Sequence, residues 1–291
     1  MTSEPYRVRQ VPARGGALTI GEWGPADGPV LLAIHGITAS HLAWQELAAL
    51  LPDVRIVAPD LRGRGRSAAL PPPYGMAQHA ADCAAVLDAL GIGRAVVVGH
   101  SMGAFVATAF AAAHPTRVAR LVLVDGGLPL RAPEGMTRDE AIRVSLGAAL
   151  ARLTMTFPTR AAYRDFWRAH PSFQDGWSES IEAYADYDLV DVAGGFRPPT
   201  PIAAVGEDSV DLYEPNASGP LAHLPAGTVL LTAPRGLQNA APLYPPAALA
   251  AWGAVVPALT ITQVPDVNHY TIVMGPAGAA VVASHVRRAL L

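Results

Sequence analysis

Six short apolar runs, each closed by turn residues, recur along the chain: 30–34, 54–58, 95–98, 121–124, 228–232 and 259–264. They lack the alternation of a half-exposed strand, so each predicts a strand buried on both faces, as in a parallel sheet covered by helices. Upstream, residues 6–11 and 17–23 do alternate, and they flank Arg14-Gly15-Gly16, the pattern of an antiparallel hairpin. Helical segments fall between the runs, near 42–50, 75–90, 101–113, 244–254 and 276–290. This alternation predicts an α/β fold with right-handed crossovers, and it places ligands at the carboxyl ends of the strands.

The interval 128–227 breaks the rhythm. Helices are expected at 138–155, 160–170 and 177–187, and the interval concentrates Phe157, Phe166, Trp167, Phe173 and Trp177. Pro198, Pro199 and Pro201 then predict an irregular return segment carrying Glu207, Asp208 and Asp211. The expected organisation is a core from 1–127 and 228–291 with a mainly helical cap, 128–227, inserted over the active site. Most of the aromatics are expected to pack the cap helices together, with Trp167, Trp177 and Phe157 as candidate substrate contacts.

Composition narrows the functional classes. A hydrophobic content of 51% with 15% charge excludes disorder, and a net charge of −3 without a basic stretch leaves no footprint for nucleic acid. All 21 basic residues are arginine, which points to a GC-rich bacterial genome. The first ten residues carry charges and a proline but no apolar core, and no uncharged span of about 20 apolar residues occurs, so a cytoplasmic protein without membrane association is expected. Cys83 is the single cysteine and reads as a small buried hydrophobe.

Candidate chemistry centres on Gly99-His100-Ser101-Met102-Gly103, which joins the run 95–98 to the small-residue helix beginning at Ala104. In a strand-turn-helix context, a G-x-S-x-G sequence lifts its serine off the end of the sheet. A serine hydroxyl still needs a base oriented by a third group. His269 follows the last strand and precedes the C-terminal helix, which makes it the candidate base. Earlier, His35-Gly36 ends the run 30–34, and Asp60-Leu61-Arg62-Gly63-Arg64-Gly65-Arg66-Ser67 follows the next strand.

In this order the pieces resemble the α/β-hydrolase superfamily, over nearly all of 15–127 and 228–291. The resemblance implies a mostly parallel eight-stranded sheet, Ser101 as nucleophile and His269 as base. It also implies an oxyanion hole made by the backbone amides of Ile37 and Met102. One departure stands out. Most of the superfamily carries the orienting acid after the penultimate strand, yet residues 225–265 contain no Asp or Glu. Asp125, which ends the strand after the serine turn, is the replacement, and a carboxylate there can reach the same imidazole nitrogen. Asp266, Glu207, Asp208 and Asp211 are weaker candidates.

The expected reaction is acyl transfer to water from a small hydrophobic ester or lactone, without cofactor. The displaced acid is similar to that of hydrolases of macrocyclic lactones. It is also similar to that of cofactor-free dioxygenases, in which a His-Asp pair deprotonates substrate and the serine is no nucleophile. A non-catalytic ligand binder on the same fold is a third reading. His35 and His100 are expected to support the site, and His41, His79, His114, His170, His223 and His285 to be exposed or structural. No His, Cys and carboxylate cluster has metal-ligand spacing, so no metal is implied. The oligomeric state is open.

Overall fold

The computed structural model describes residues 6–174, 176–213 and 218–291; residues 1–5, the start of the N-terminal stretch considered above, lie outside these. Among the described residues ten strands are formed: β1 Arg7–Ala13, β2 Gly16–Trp23, β3 Val30–Ile34, β4 Arg55–Pro59, β5 Ala95–His100, β6 Val118–Val124, β7 Val190–Val192, β8 Gly195–Arg197, β9 Thr228–Thr232 and β10 Leu259–Gln263. Eight of them make one sheet in the order β1-β2-β4-β3-β5-β6-β9-β10. The hairpin β1/β2 and the β2/β4 pair are antiparallel, and the remaining pairs are parallel. Each predicted run therefore becomes a strand of the sheet.

The helices are α1 Gln45–Leu50, α2 Met76–Ala89, α3 Met102–Ala113, α4 Arg138–Thr154, α5 Arg160–Arg168, α6 Glu179–Tyr187, α7 Ile202–Asp211, α8 Pro246–Val255, α9 Thr271–Met274 and α10 Pro276–Leu290. Successive residues of a strand serve opposite faces. Thus Leu32 and Ile34 join the core under α2 and α3, while Leu31 and Ala33 join the one containing Trp44 and the α10 residues Val282 and Val286. Burial on both faces is why the central runs read as continuous rather than alternating; β10 departs from that expectation, since it lies at the sheet edge, is largely half-buried or exposed, and carries Thr260, Thr262 and Gln263 among its apolar residues.

Between β6 and β9 the insert holds α4 to α7 and the small antiparallel hairpin β7/β8. Helix α4 starts at a capping box, in which Thr137 Oγ1 accepts from the Glu140 amide and the Glu140 carboxylate accepts from the Thr137 amide. The return segment is more regular than its prolines suggest. Pro201 caps α7, a position where a missing amide proton costs nothing, and the helix then runs ten residues. Among the described residues no helix is long and apolar enough to cross a membrane. Cys83 is free and buried.

Sheet order locates the site. The chain places β4 on one side of β3 and β5 on the other, so the connections leaving β3 and β5 diverge and open a crevice at their carboxyl ends. Ser101 follows β5 at that point.

Candidate active site

Ser101 has φ +54° and ψ −126°, a backbone conformation that L-residues reach only when their surroundings impose it. The turn is held by the Ser101 amide donating to the Val124 carbonyl at 2.9 Å. It is also held by absence of side chains. A Cβ on Gly103 would lie 2.1 Å from the Ile34 carbonyl oxygen, and one on Gly126 would lie 2.2 Å from the Ser101 carbonyl oxygen. Glycine at these positions lets β3, the serine turn and the end of β6 meet backbone to backbone.

His269 Nε2 lies 3.0 Å from Ser101 Oγ, and its Nδ1 lies 2.6 Å from Asp125 Oδ2. The carboxylate only accepts, so Nδ1 carries the proton and Nε2 offers its lone pair to the serine hydroxyl. Asp125 is fully buried at the end of β6. Its amide donates to the Leu231 carbonyl at 2.7 Å, and its Oδ1 accepts from the Ala233 amide at 3.1 Å, both on or just past β9. The four non-glycine residues with positive φ among the described residues are Ser101, Asp125, Asn239 and Asp266. Two of them belong to this array, and Asp266 lies in the His269 loop.

That loop is anchored by Asn268, which sequence reasoning missed, and by His100, which it expected to support the site. Asn268 Oδ1 accepts from the amides of Tyr270 at 3.0 Å and Thr271 at 2.9 Å, and its Nδ2 donates to the Ser172 carbonyl of the insert at 2.9 Å. An Asn ahead of a short helix is a turn-forming signal, and here it fixes the backbone directly next to His269. His100 Nε2 donates to the His269 carbonyl at 2.8 Å. Burial, reinforced by the neighbouring His269 ring, holds the His100 imidazole well below its usual titration range, so it stays a neutral donor.

Residues 36–39 form a turn closed by the Ala39 amide on the Gly36 carbonyl at 3.2 Å. The bond that closes this turn does not engage the amide of its second residue, Ile37. The Met102 amide is one of those a helix N-terminus leaves unpaired, because Met102 opens α3. Every carbonyl of the turn's first three residues is held from behind. His35 Nδ1 donates to Gly36 at 2.8 Å, Arg64 Nε to Ile37 at 2.9 Å, and an Arg152 guanidinium nitrogen to Thr38 at 3.4 Å.

Both arginines are buried and paired. Arg64 meets Asp208, which also accepts from His79 and from the Gly75 amide. Burial alone would raise the Asp208 carboxyl, but Arg64 and His79 hold it below the usual range. Arg152 meets Asp188 and Tyr163 within the insert. The Asp60–Ser67 segment ties neighbouring turns together: Asp60 accepts from the His41 amide and ring and from the Arg66 amide. His41 and His79 are fully buried members of these networks.

The weaker acid candidates lie elsewhere. Asp208 serves Arg64, Asp211 accepts from the Met76 amide at 3.0 Å, and Glu207 and Asp266 are exposed. The aromatics of the insert divide differently from the expectation. Phe157 and Trp167 are buried at 5% and 3% exposure, and neither touches the space beside Ser101. Trp167 is the hub of a ring cluster with Tyr163, Phe173, Tyr184 and Tyr270, while Trp177 stacks under Arg168 and donates to Glu182. The aromatic side chains that line the space at Ser101 are Tyr184 and Tyr270.

Residues 29–192 match the family model of the alpha/beta hydrolase fold. The chain belongs to that family. It is 43% identical over 113 residues to Lipase LipV of Mycobacterium tuberculosis, which is 39% of this chain and 43% of that one. It is 31% identical over 217 residues to a non-heme chloroperoxidase of Streptomyces lividans, covering 66% of this chain and 79% of the relative. The match to the lipase thus spans about two-fifths of that relative's length. Among solved structures, the thioesterase domain from the curacin biosynthetic pathway superposes with a TM-score of 0.76 at 26% identity, covering 98% of this chain and 100% of that one. E-2-(Acetamidomethylene)succinate hydrolase gives 0.78 at 24% identity over 98% of both chains, a likeness of fold.

Proposed function

We propose that this protein is a serine hydrolase that cleaves an ester or lactone bond of a hydrophobic small molecule. The observation that carries the reading is the continuous array Ser101 Oγ, His269, Asp125, with contacts of 3.0 and 2.6 Å. Relatives named as a lipase and as a bifunctional esterase/perhydrolase support the same class.

In the proposed cycle, His269 Nε2 takes the hydroxyl proton as Ser101 Oγ bonds to the substrate carbonyl carbon. The carbonyl oxygen becomes an oxyanion held by the amides of Ile37 and Met102, each such donor being worth about 10²–10³ in rate. The imidazolium then gives its proton to the departing oxygen as the ester C–O bond breaks. Water repeats the sequence on the acyl-enzyme and frees the acid. Asp125 stays ionised throughout, keeping the proton on Nδ1 and stabilising the imidazolium. Residues 128–227 act as a cap, since Tyr184 of the insert closes one side of the space at Ser101.

The test is covalent labelling. A fluorophosphonate should add one adduct to the wild-type chain by intact mass and none to Ser101→Ala, and the wild type should turn over p-nitrophenyl acetate. An unlabelled wild type that consumes O₂ with a heteroaromatic substrate, equally well without Ser101, would instead establish the dioxygenase reading.

A further inference from the structure

The space beside Ser101 has a volume of about 30 Å³, which is room for about one or two waters and not for an ester. A second cavity of about 720 Å³ lies between the start of the insert and the segment from β9 to α8. Its size falls within the roughly 300–1,000 Å³ of small-molecule sites. Leu237 is the single residue common to the two linings.

The large cavity is joined to the catalytic loop. Tyr244 lines it, and the Tyr244 hydroxyl donates to the Leu128 carbonyl at 2.8 Å and accepts from the Leu128 amide at 3.1 Å, three residues past Asp125. Its wall includes Met136 and Trp252, and it carries no carboxylate. Arg131 is its one charged lining residue, with the guanidinium 5.7 Å from the Trp252 ring centre. Val144 on α4 and Val255 on α8 line it while 73% and 66% exposed, a degree of apolar exposure that a binding surface accounts for. Leu237 itself sits on a pinned backbone, its carbonyl accepting from Ser172 Oγ at 2.8 Å.

We infer that this cavity holds the apolar chain of the ester, an uncharged alkyl or aryl group, which passes Leu237 to reach it while the carbonyl sits at Ser101. The inference rests on the serine-hydrolase reading for the identity of the ligand, and on the apolar lining and the wall shared at Leu237 for the place. Displacement of Leu237 opens the small space into the large one.

Two measurements test it. The first is the ratio of kcat/KM for p-nitrophenyl decanoate over p-nitrophenyl acetate. Ala248 of α8 also lines the cavity, and filling it with Ala248→Trp should lower that ratio about tenfold, the equivalent of about two methylenes kept out of an apolar site; Val255→Asp, at an exposed position that does not threaten folding, should lower it in the same direction. The second uses N-phenyl-1-naphthylamine, an uncharged apolar fluorophore, on Ser101→Ala. Fluorescence should rise on binding, and adding Ala248→Trp should abolish the rise. An unchanged chain-length ratio together with unchanged fluorophore binding would overturn the inference. Failure of the wild type to hydrolyse any ester would overturn the hydrolase reading instead, and the fluorophore would still decide the cavity.

Discussion

The Ala233 amide donates to Asp125 Oδ1 at 3.1 Å, which leaves Oδ2 as the oxygen facing His269. A neighbouring strand thus orients the carboxylate, and the same bond dictates what an amide would do there. In Asp125→Asn the side-chain oxygen stays on the Ala233 amide, so the NH₂ group faces His269 Nδ1 and donates to it. The imidazole must then carry its proton on Nε2, where it cannot accept from Ser101. We expect kcat to fall by up to about 10⁴ with little loss of stability. Ester turnover within tenfold of the wild type would remove Asp125 from the proposed mechanism.

Much of this array was legible in the sequence because each of its members ends a strand. Ser101 and Asp125 follow uninterrupted apolar runs, His269 follows the last, mixed run, and the want of any acid in 225–265 singles out Asp125. The networks behind the site were not legible. Asp208 reaches Arg64 across 144 positions, delivered by α7, a helix that the prolines at 198, 199 and 201 disguised as irregular chain. The pairing of Arg152 with the Thr38 carbonyl depends on how the insert docks, which no local pattern encodes. Nor does periodicity tell a ring that packs other rings from one that faces a cavity, so Trp167 and Tyr184 look alike until the packing is known.

Glycine substitutions separate the site from the scaffold. At Gly103 an added Cβ would meet the Ile34 carbonyl at 2.1 Å, and backbone has nowhere to retreat in a buried parallel sheet. Gly103→Ala should therefore cost about 3 kcal/mol or more. Gly147, within α4, has nothing within 4 Å of the same atom. Gly147→Ala should stabilise by about 0.5–1 kcal/mol through helix propensity. Chemical denaturation of the two variants reads both signs, and a tolerated Gly103→Ala would contradict the backbone contact.

Trp167 packs against rings of α5 and α6 within the insert and against Tyr270 of the core loop after β10, and the Arg152 guanidinium lies 4.9 Å from its ring centre. Trp167→Ala is accordingly expected to lower stability by about 3–5 kcal/mol, as large-to-small changes in a packed cluster do. Any change in KM should be alike for acetate and decanoate esters. A selective rise in KM for the decanoate, without loss of stability, would return this side chain to the substrate-binding surface.

His35 supplies a pH dependence with a definite sign. Its Nε2 accepts from the Leu61 amide at 3.0 Å while Nδ1 donates to Gly36, so the folded protein needs the neutral ring. Burial, only partly offset by the pull of the Asp60 carboxylate, lowers its pKa from 6.5 to about 4. The unfolded chain therefore binds a proton below pH 6.5 that the folded chain refuses until about pH 4. Stability is complete above this window and is lost as pH falls through it, by about 2 kcal/mol at pH 5 from this residue alone. His100, also held below its usual range, acts in the same direction. Burial alone would raise the Asp60 carboxyl, but its bonds to His41 outweigh burial and hold it below the ordinary range, so it adds a further loss only as pH falls under that range. Urea unfolding at pH 7.5 and pH 5.0 measures the difference, and equal or greater stability at the lower pH would show that His35 is protonated in the folded turn.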